Sequence, residues 1–181
     1  MKISSKGLDL IKHFESLHDG DLTKIGLQPK LCPADIVTIG YGRALKDENG
    51  KWLKGSEGMK KAAELYPELM NMTEEQAVIM LDEDCDDREN RLNSLGIHLE
   101  HNEFDALVSF IYNVGFANFK RSSLLKRILL RDDADRITKA FGMWDKARVD
   151  GVLTVLPGLV RRRMAEAYLY NYNVLKFNFT R

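Results

Sequence analysis

The segment "NEFDALVSFIYNVG", residues 102–115, is apolar over most of a helical circumference. A helix on a surface shows one apolar stripe; one that is apolar nearly all round must be surrounded by others. The segment therefore predicts a central helix inside a helical body, ended by Gly115. The chain supplies its neighbours. Pro157 suits the first helical position of "PGLVRRRMAEAYLY", and Ser122 or Ser123 can cap "LLKRILL". Asp132 or Asp133 can cap a segment whose Ile137, Ala140, Phe141 and Trp144 line one side. Thr73 and Gln76 in "MTEEQ" fit a capping box, with Glu74 and Glu75 favoured at the positive end of the dipole. From there Ala77, Leu81, Cys85, Arg88, Leu92 and Leu95 recur at steps of three and four, predicting a helix of about 20 residues that joins two lobes. Cys85, on that seam, reads as a small buried hydrophobe.

The N-terminal third is patterned differently. Ser4 or Ser5 can cap a first helix with Leu10, Ile11, Phe14 and Leu17 on one face. "HDGD" breaks it, which puts Glu15 near its C-terminal end. Residues 19–31 read as a polar loop with Gly20, Gly26 and Pro29. Ile36 to Tyr41 is strand-like, and Asn49-Gly50 is a hairpin-turn dipeptide between "RALKDE" and "KWLKG". A small sheet around 22–54 follows, with everything beyond residue 73 expected to be helical. The fold class is α+β in a single domain, 1–181. It has a small N-terminal lobe with a short antiparallel sheet, about 15–72, and a larger helical C-terminal lobe, about 73–181 plus the first helix.

Composition excludes several classes. Of 181 residues, 44% are hydrophobic and 30% charged, the balance of a globular protein. No apolar run nears the ~18 residues of a span, so no stable membrane insertion is expected. The N-terminus reads as a mature start without a signal peptide. Two cysteines and four histidines form neither a disulfide framework nor a zinc motif, which suits a reducing cytoplasm. No metal or other cofactor is called for. Net charge is zero, yet residues 1–100 carry 13 Lys and Arg against 19 Asp and Glu, and residues 101–181 carry 14 against 8. A basic half can meet an acidic polymer; an acidic helix, "EDCDDRE", and a helix with "RRR", both merely solvated, account for the same numbers. The basic residues are spread over several helices without an aromatic-interleaved patch, so no nucleic acid is expected as partner.

Glu15, Asp19, Asp21, Cys32 and Thr38 form the one suggestive cluster. A carboxyl group at a helix end, facing a short sheet across a cleft, is placed for general-acid work where burial favours its neutral form. A solvated surface glutamate is the competing reading.

The wider pattern is more specific. "CPADIVTIGYG", in which five residues separate Cys32 from Thr38, is joined by "FDALVSFIYNVG", "FKRSSLL", Trp144 and "LPGLVRRRMAEAYLY". Together these blocks resemble the phage-type lysozymes, glycoside hydrolase family 24, across residues 5 to 170. The resemblance implies a lysozyme-like fold and an endolysin. Its reaction is hydrolysis of the β-1,4 bond between N-acetylmuramic acid and N-acetylglucosamine in bacterial cell-wall peptidoglycan. Glu15 matches the family's acid, and Thr38 the threonine that orients the attacking water. Cys32 stands where an aspartate is usual, as a base, a water-positioning group or a nucleophile. Asp35 is the reserve carboxylate from the same short loop, with Asp19 and Asp21 behind it.

Four departures stand out. Sixteen residues rather than eight separate Glu15 from Cys32, Asp35 replaces a usual glycine, Val37 a tryptophan, and Arg43 a histidine. Tyr41 is a candidate for binding substrate or for the core, and Asn113 for substrate or for the helix end. Arg43 either pairs with the acidic 82–87 segment or is solvated, and "RRR" at 161–163 is structural before it is a wall contact. The resemblance further implies a monomer held in the host cytoplasm until a membrane-permeabilising protein releases it to the wall. Two other classes remain: a catalytically inactive peptidoglycan-binding module with a lysozyme fold, and a membrane-lytic protein acting through its basic C-terminal helices.

Overall fold

Helix α1 spans Ser5–Glu15, and its first turn closes with the Leu8 N–H on the Ser4 carbonyl at 3.0 Å. Its buried side is Gly7, Leu10 and Ile11, and Glu15 is its last residue. The structure, a computed structural model, describes residues 1–20, 23–149 and 151–179. Its chain divides into two units, Met1–Phe14 with Cys85–Arg181, and Glu15–Asp84.

In the Glu15–Asp84 unit, β1 (Lys30–Leu31), β2 (Val37–Ile39) and β3 (Arg43–Ala44) form an antiparallel sheet in that order. Lys30 lies opposite Thr38, Thr38 opposite Ala44, and Ile39 opposite Arg43. All of β2 is buried, which is why it reads as an apolar run instead of alternating. Gly40 and Gly42 turn the chain at φ 60° and 96°, backbone that glycine adopts without a Cβ clash. At Asn49-Gly50 the Asp47 carboxylate accepts from the N–H groups of Asn49 and Lys51, both at 2.9 Å, and Lys46 bridges to Trp52. Helix α2 (Gly55–Leu65) and a 3₁₀ turn over Pro67–Asn71 were not expected. Within α2 only Gly58 and Ala62 are buried, so it carries almost no apolar periodicity.

Thr73 and Gln76 form the expected reciprocal cap, Gln76 N–H to Thr73 Oγ1 at 3.2 Å and Thr73 N–H to Gln76 Oε1 at 2.8 Å. Helix α3 then runs Glu74–Asn93, 20 residues, with Ala77, Leu81, Cys85 and Leu92 buried on the seam. The division between the units falls within it, after Asp84.

In the other unit, α4 (His101–Val114) is the central helix: every residue from Phe104 to Ile111 is buried, and Gly115 ends it at φ 83°. Around it come α5 (Phe116–Arg121), α6 (Ser123–Leu129) and α7 (Ala134–Gly142). Ser122 caps α6 and Asp133 caps α7 through their side chains. Phe110 of α4 meets Phe119, Phe141 and Trp144 edge-on, with centroids 6.1, 5.4 and 5.8 Å away, the geometry aromatic quadrupoles prefer.

One expectation fails here. Residues 146–149 and 152–155 are not helical but pair as antiparallel strands, β4 (Lys146–Val149) and β5 (Val152–Val155). β-branched residues on both sides of an Asp-Gly pair favour strands and a tight turn. Pro157 then opens α8 (Pro157–Tyr172), which packs on α4 and α7. Among the described residues, no helix is long and apolar enough to cross a membrane.

Candidate active site

Five of the six candidate site residues lie in the Glu15–Asp84 unit. Glu15, at the end of α1, is half-buried. Its carboxylate Oε2 lies 3.5 Å from where a side-chain carbon on Gly42 would sit. A side-chain carbon there would make ordinary contact with the carboxylate, and it is the φ of 96° at this turn that favours glycine. The chain then turns back. The His18 N–H donates to the Gly40 carbonyl at 2.7 Å, an isolated antiparallel bridge that holds residues 15–18 against the end of β2.

Cys32 lies opposite Ile36 across a tight turn, two residues before Thr38. The Cys32 N–H donates to the Ile36 carbonyl at 2.9 Å, and the Asp35 N–H to the Cys32 carbonyl at 2.8 Å. Backbone N–H groups near the half-buried thiol, Ile36 first and Ala34 after it, favour its ionised form, and the Thr38 hydroxyl adds to them. These hold its pKa below the ordinary value, against the opposing effect of desolvation. Thr38 is buried at 4% exposure. Its Oγ1 donates to the Ile36 carbonyl at 3.1 Å, and the hydroxyl oxygen keeps its capacity to accept. The arrangement is a thiol predisposed to ionise beside a hydroxyl that can donate or accept. The five-residue spacing produces it, because the turn returns the chain to Cys32 one residue short of β2.

The reserve carboxylates are arranged otherwise. Asp35 is exposed, at φ 60°, with its carbonyl accepting from Gly55 and its Oδ2 3.4 Å from the Cβ position of Gly55. Left-handed backbone explains why a glycine is usual at this place and why aspartate is tolerated there. The Asp19 carboxylate accepts from the Gln28 N–H at 3.1 Å and braces the loop. Asp21 lies outside the described residues.

Tyr41 is 6% exposed, and its hydroxyl donates to Glu74 at 2.9 Å; of its two readings, the core fits. Arg43 takes the ion-pair reading, with Nε 3.0 Å from both Asp84 oxygens and Nη2 donating to Glu83 at 3.2 Å and to the Met80 carbonyl at 2.6 Å. In the other unit, Asn113 is exposed and its Oδ1 accepts from Arg163 at 3.1 Å. "RRR" proves structural at two positions: Arg162 and Arg163 are buried around Glu166.

Sequence reasoning passed over His18, which showed no ligand pattern. It lies three residues after Glu15, with Nδ1 buried and, among the described residues, without a hydrogen-bond partner. Burial chiefly, then the charge of Lys30, depress its pKa, while Glu15 acts the other way. No cluster of three or more metal-ligating side chains occurs among the described residues.

A helix-rich α+β frame, with a carboxylate at the end of its first helix against a glycine turn, defines a lysozyme-type protein. An endolysin from Escherichia coli O157:H7 phage FAHEc1 superposes with a TM-score of 0.75 at 32% identity, covering 97% of each chain. The muramidase domain of SpmX from Asticaccaulis excentricus gives 0.70 at 30%, over 93% of this chain and 97% of that one. An endolysin from Acyrthosiphon pisum secondary endosymbiont phage 1 is 33% identical over 171 residues, 94% of this chain and 98% of its own. The family model described as Phage lysozyme matches residues 22–166. The chain belongs to the phage lysozyme family, whose members are peptidoglycan-hydrolysing glycosidases.

Proposed function

We propose that this chain is a single-domain lytic muramidase that opens the bacterial wall at host lysis, with Glu15, Cys32 and Thr38 as its working groups. The observation that carries the assignment is the tight turn that sets Cys32 against Ile36, two residues before the buried Thr38, in the same unit as a carboxylate set against Gly42. Glu15 donates its proton to the glycosidic oxygen as the C1–O bond breaks. The thiolate of Cys32 takes a proton from the attacking water, which Thr38 orients and whose oxygen bonds to C1. Direct attack by water inverts the anomeric carbon. Cys32 is preferred to Asp35 because Asp35 turns toward Gly55, and to Asp19 because Asp19 is committed to Gln28. Tyr41 belongs to the fold rather than to substrate, and Asn113 is kept as a substrate contact. The protein acts as a monomer, waits in the host cytoplasm and reaches the wall through a separate membrane-permeabilising protein. That its relatives are endolysins supports action on the wall.

The test is muropeptide release from purified peptidoglycan by the wild type, Glu15→Gln and Cys32→Ser, with mass spectrometry of the new sugar ends. Reducing muramic-acid ends that vanish in Glu15→Gln, and fall steeply in Cys32→Ser, are the expected result. A wild type that binds the wall and releases nothing overturns the enzyme reading in favour of a wall-binding module.

A further inference from the structure

The helical unit contains a hollow of about 440 Å³ that the proposed hydrolysis does not use, lined by Ile97, His98, Ile128, Arg131, Ile137 and Tyr170. This volume lies within the range of small-ligand pockets. Ile128 and Ile137, 6% and 2% exposed, give it an apolar floor. Two acidic residues also line it, and both are occupied. Glu103 accepts the Glu100 N–H at 2.8 Å. Asp132 accepts from Arg127 at 3.0 Å and from Arg136 at 3.2 Å. The donors are not occupied: among the described residues, neither the Arg131 guanidinium nor the His98 ring makes a hydrogen bond or ion pair. What the hollow has to offer is therefore a fork of N–H donors above an aliphatic floor.

Arg131 adds an independent observation. It sits at φ 53°, backbone that favours glycine. It is held there because its N–H and that of Asp132 close the end of α6 on the carbonyls of Ile128 and Arg127, at 3.0 and 3.1 Å. Glycine would serve that turn better, yet the chain keeps an exposed arginine there, in the lining of the hollow.

We propose that this hollow binds a carboxylate on the peptide stem of the wall polymer. Arg131 grips the carboxylate and a small aliphatic side chain rests on Ile128 and Ile137. Guanidinium–carboxylate pairing is bidentate and charge-assisted, and the wall's short peptides carry carboxylates beside small aliphatic groups. The inference rests on the muramidase reading for the identity of the polymer, but its chemistry is tested without turnover.

An NMR amide-shift titration of the full-length protein would use four probes: a disaccharide–tetrapeptide muropeptide, its carboxyl-amidated form, the peptide-free disaccharide, and acetate. Shifts at Ile97, Ile137 and Tyr170 with the free-carboxyl muropeptide alone are expected. In Arg131→Gly, whose backbone suits this turn, the affinity should fall about tenfold or more, and Arg131→Lys should recover part of it. No shifts in the hollow, equal shifts with acetate, or shifts unchanged in Arg131→Gly would each overturn the proposal. Wild-type muropeptide release, measured separately, keeps the two readings apart. Hydrolysis without binding in the hollow sinks this inference alone, and binding without hydrolysis sinks the enzyme reading alone.

Discussion

Asp35 shows how much one backbone angle decides. At φ 60° its conformation suits glycine, and its carboxylate turns toward Gly55, so Asp35→Gly removes a carboxylate while relaxing the turn. Stability should stay within about 1 kcal/mol of wild type, because relief of the left-handed strain offsets the added freedom of the unfolded chain. Muropeptide release should persist, whereas Cys32→Ser should lose most of it; abolition by Asp35→Gly would transfer the second role to Asp35. The thiol carries its own prediction. With Ile36 N–H the leading cause, its pKa lies below the ordinary value of 9.0, so thiolate absorbance should rise at lower pH than in free cysteine, and release should rise through the same range. A Cys32 signal that titrates at or above the free-cysteine value would contradict the assignment. Cys32 and Thr38 were legible because a five-residue spacing survives in sequence. The N–H groups that tune the thiol were not, because they belong to the backbone of a turn whose shape no side chain announces. His18 was illegible for a related reason: the bridge to Gly40 that brings it back toward Glu15 links residues 22 positions apart.

Elements with their own punctuation were the easiest to read. The Thr73–Gln76 cap, the glycine end of α4 and the Pro157 start of α8 all appear where local chemistry put them. α2 was missed because its buried face is two small residues, and the β4–β5 pair because, apart from the half-buried Ala147, the residues of its two strands are exposed and show no alternation. α8 holds the charge pattern least readable from sequence: Glu166, 0% exposed, lies between Arg162 and Arg163, with Nε to carboxylate distances of 3.2 and 2.9 Å. Ser109 of α4 donates to the same carboxylate at 2.9 Å. Removing one partner of such a cluster strands the others in low dielectric. Glu166→Gln should therefore cost roughly 3–5 kcal/mol in urea denaturation, against about 1 kcal/mol for Ser109→Ala. Equal small losses would mean that the cluster is not a paired core. Because the charges touch one another only in the fold, periodicity alone could not separate them from a solvated face.

Across the whole molecule, the charge asymmetry read between the two halves of the sequence is also that of the two structural units. Glu15–Asp84 carries 8 Lys and Arg against 14 Asp and Glu, and the remaining residues carry 19 against 13. A net charge of zero thus conceals a surplus of six basic groups in the helical unit and an equal acidic surplus in the other. Intermixed charges cancel within a Debye length, about 10 Å at 0.1 M salt, whereas segregated ones present a local field to an acidic polymer. Wall binding by Glu15→Gln, which removes turnover on the proposed mechanism, should weaken progressively as salt rises, although the protein is neutral overall. Reversing the exposed Lys146 and Arg148 of β4 to glutamate should weaken it further at low salt and matter little at high salt. Co-sedimentation with purified wall sacculi measures both. Binding that ignores salt, or that survives the charge reversal at low salt, would leave the contact to hydrogen bonds and apolar surface and make the segregation incidental to function.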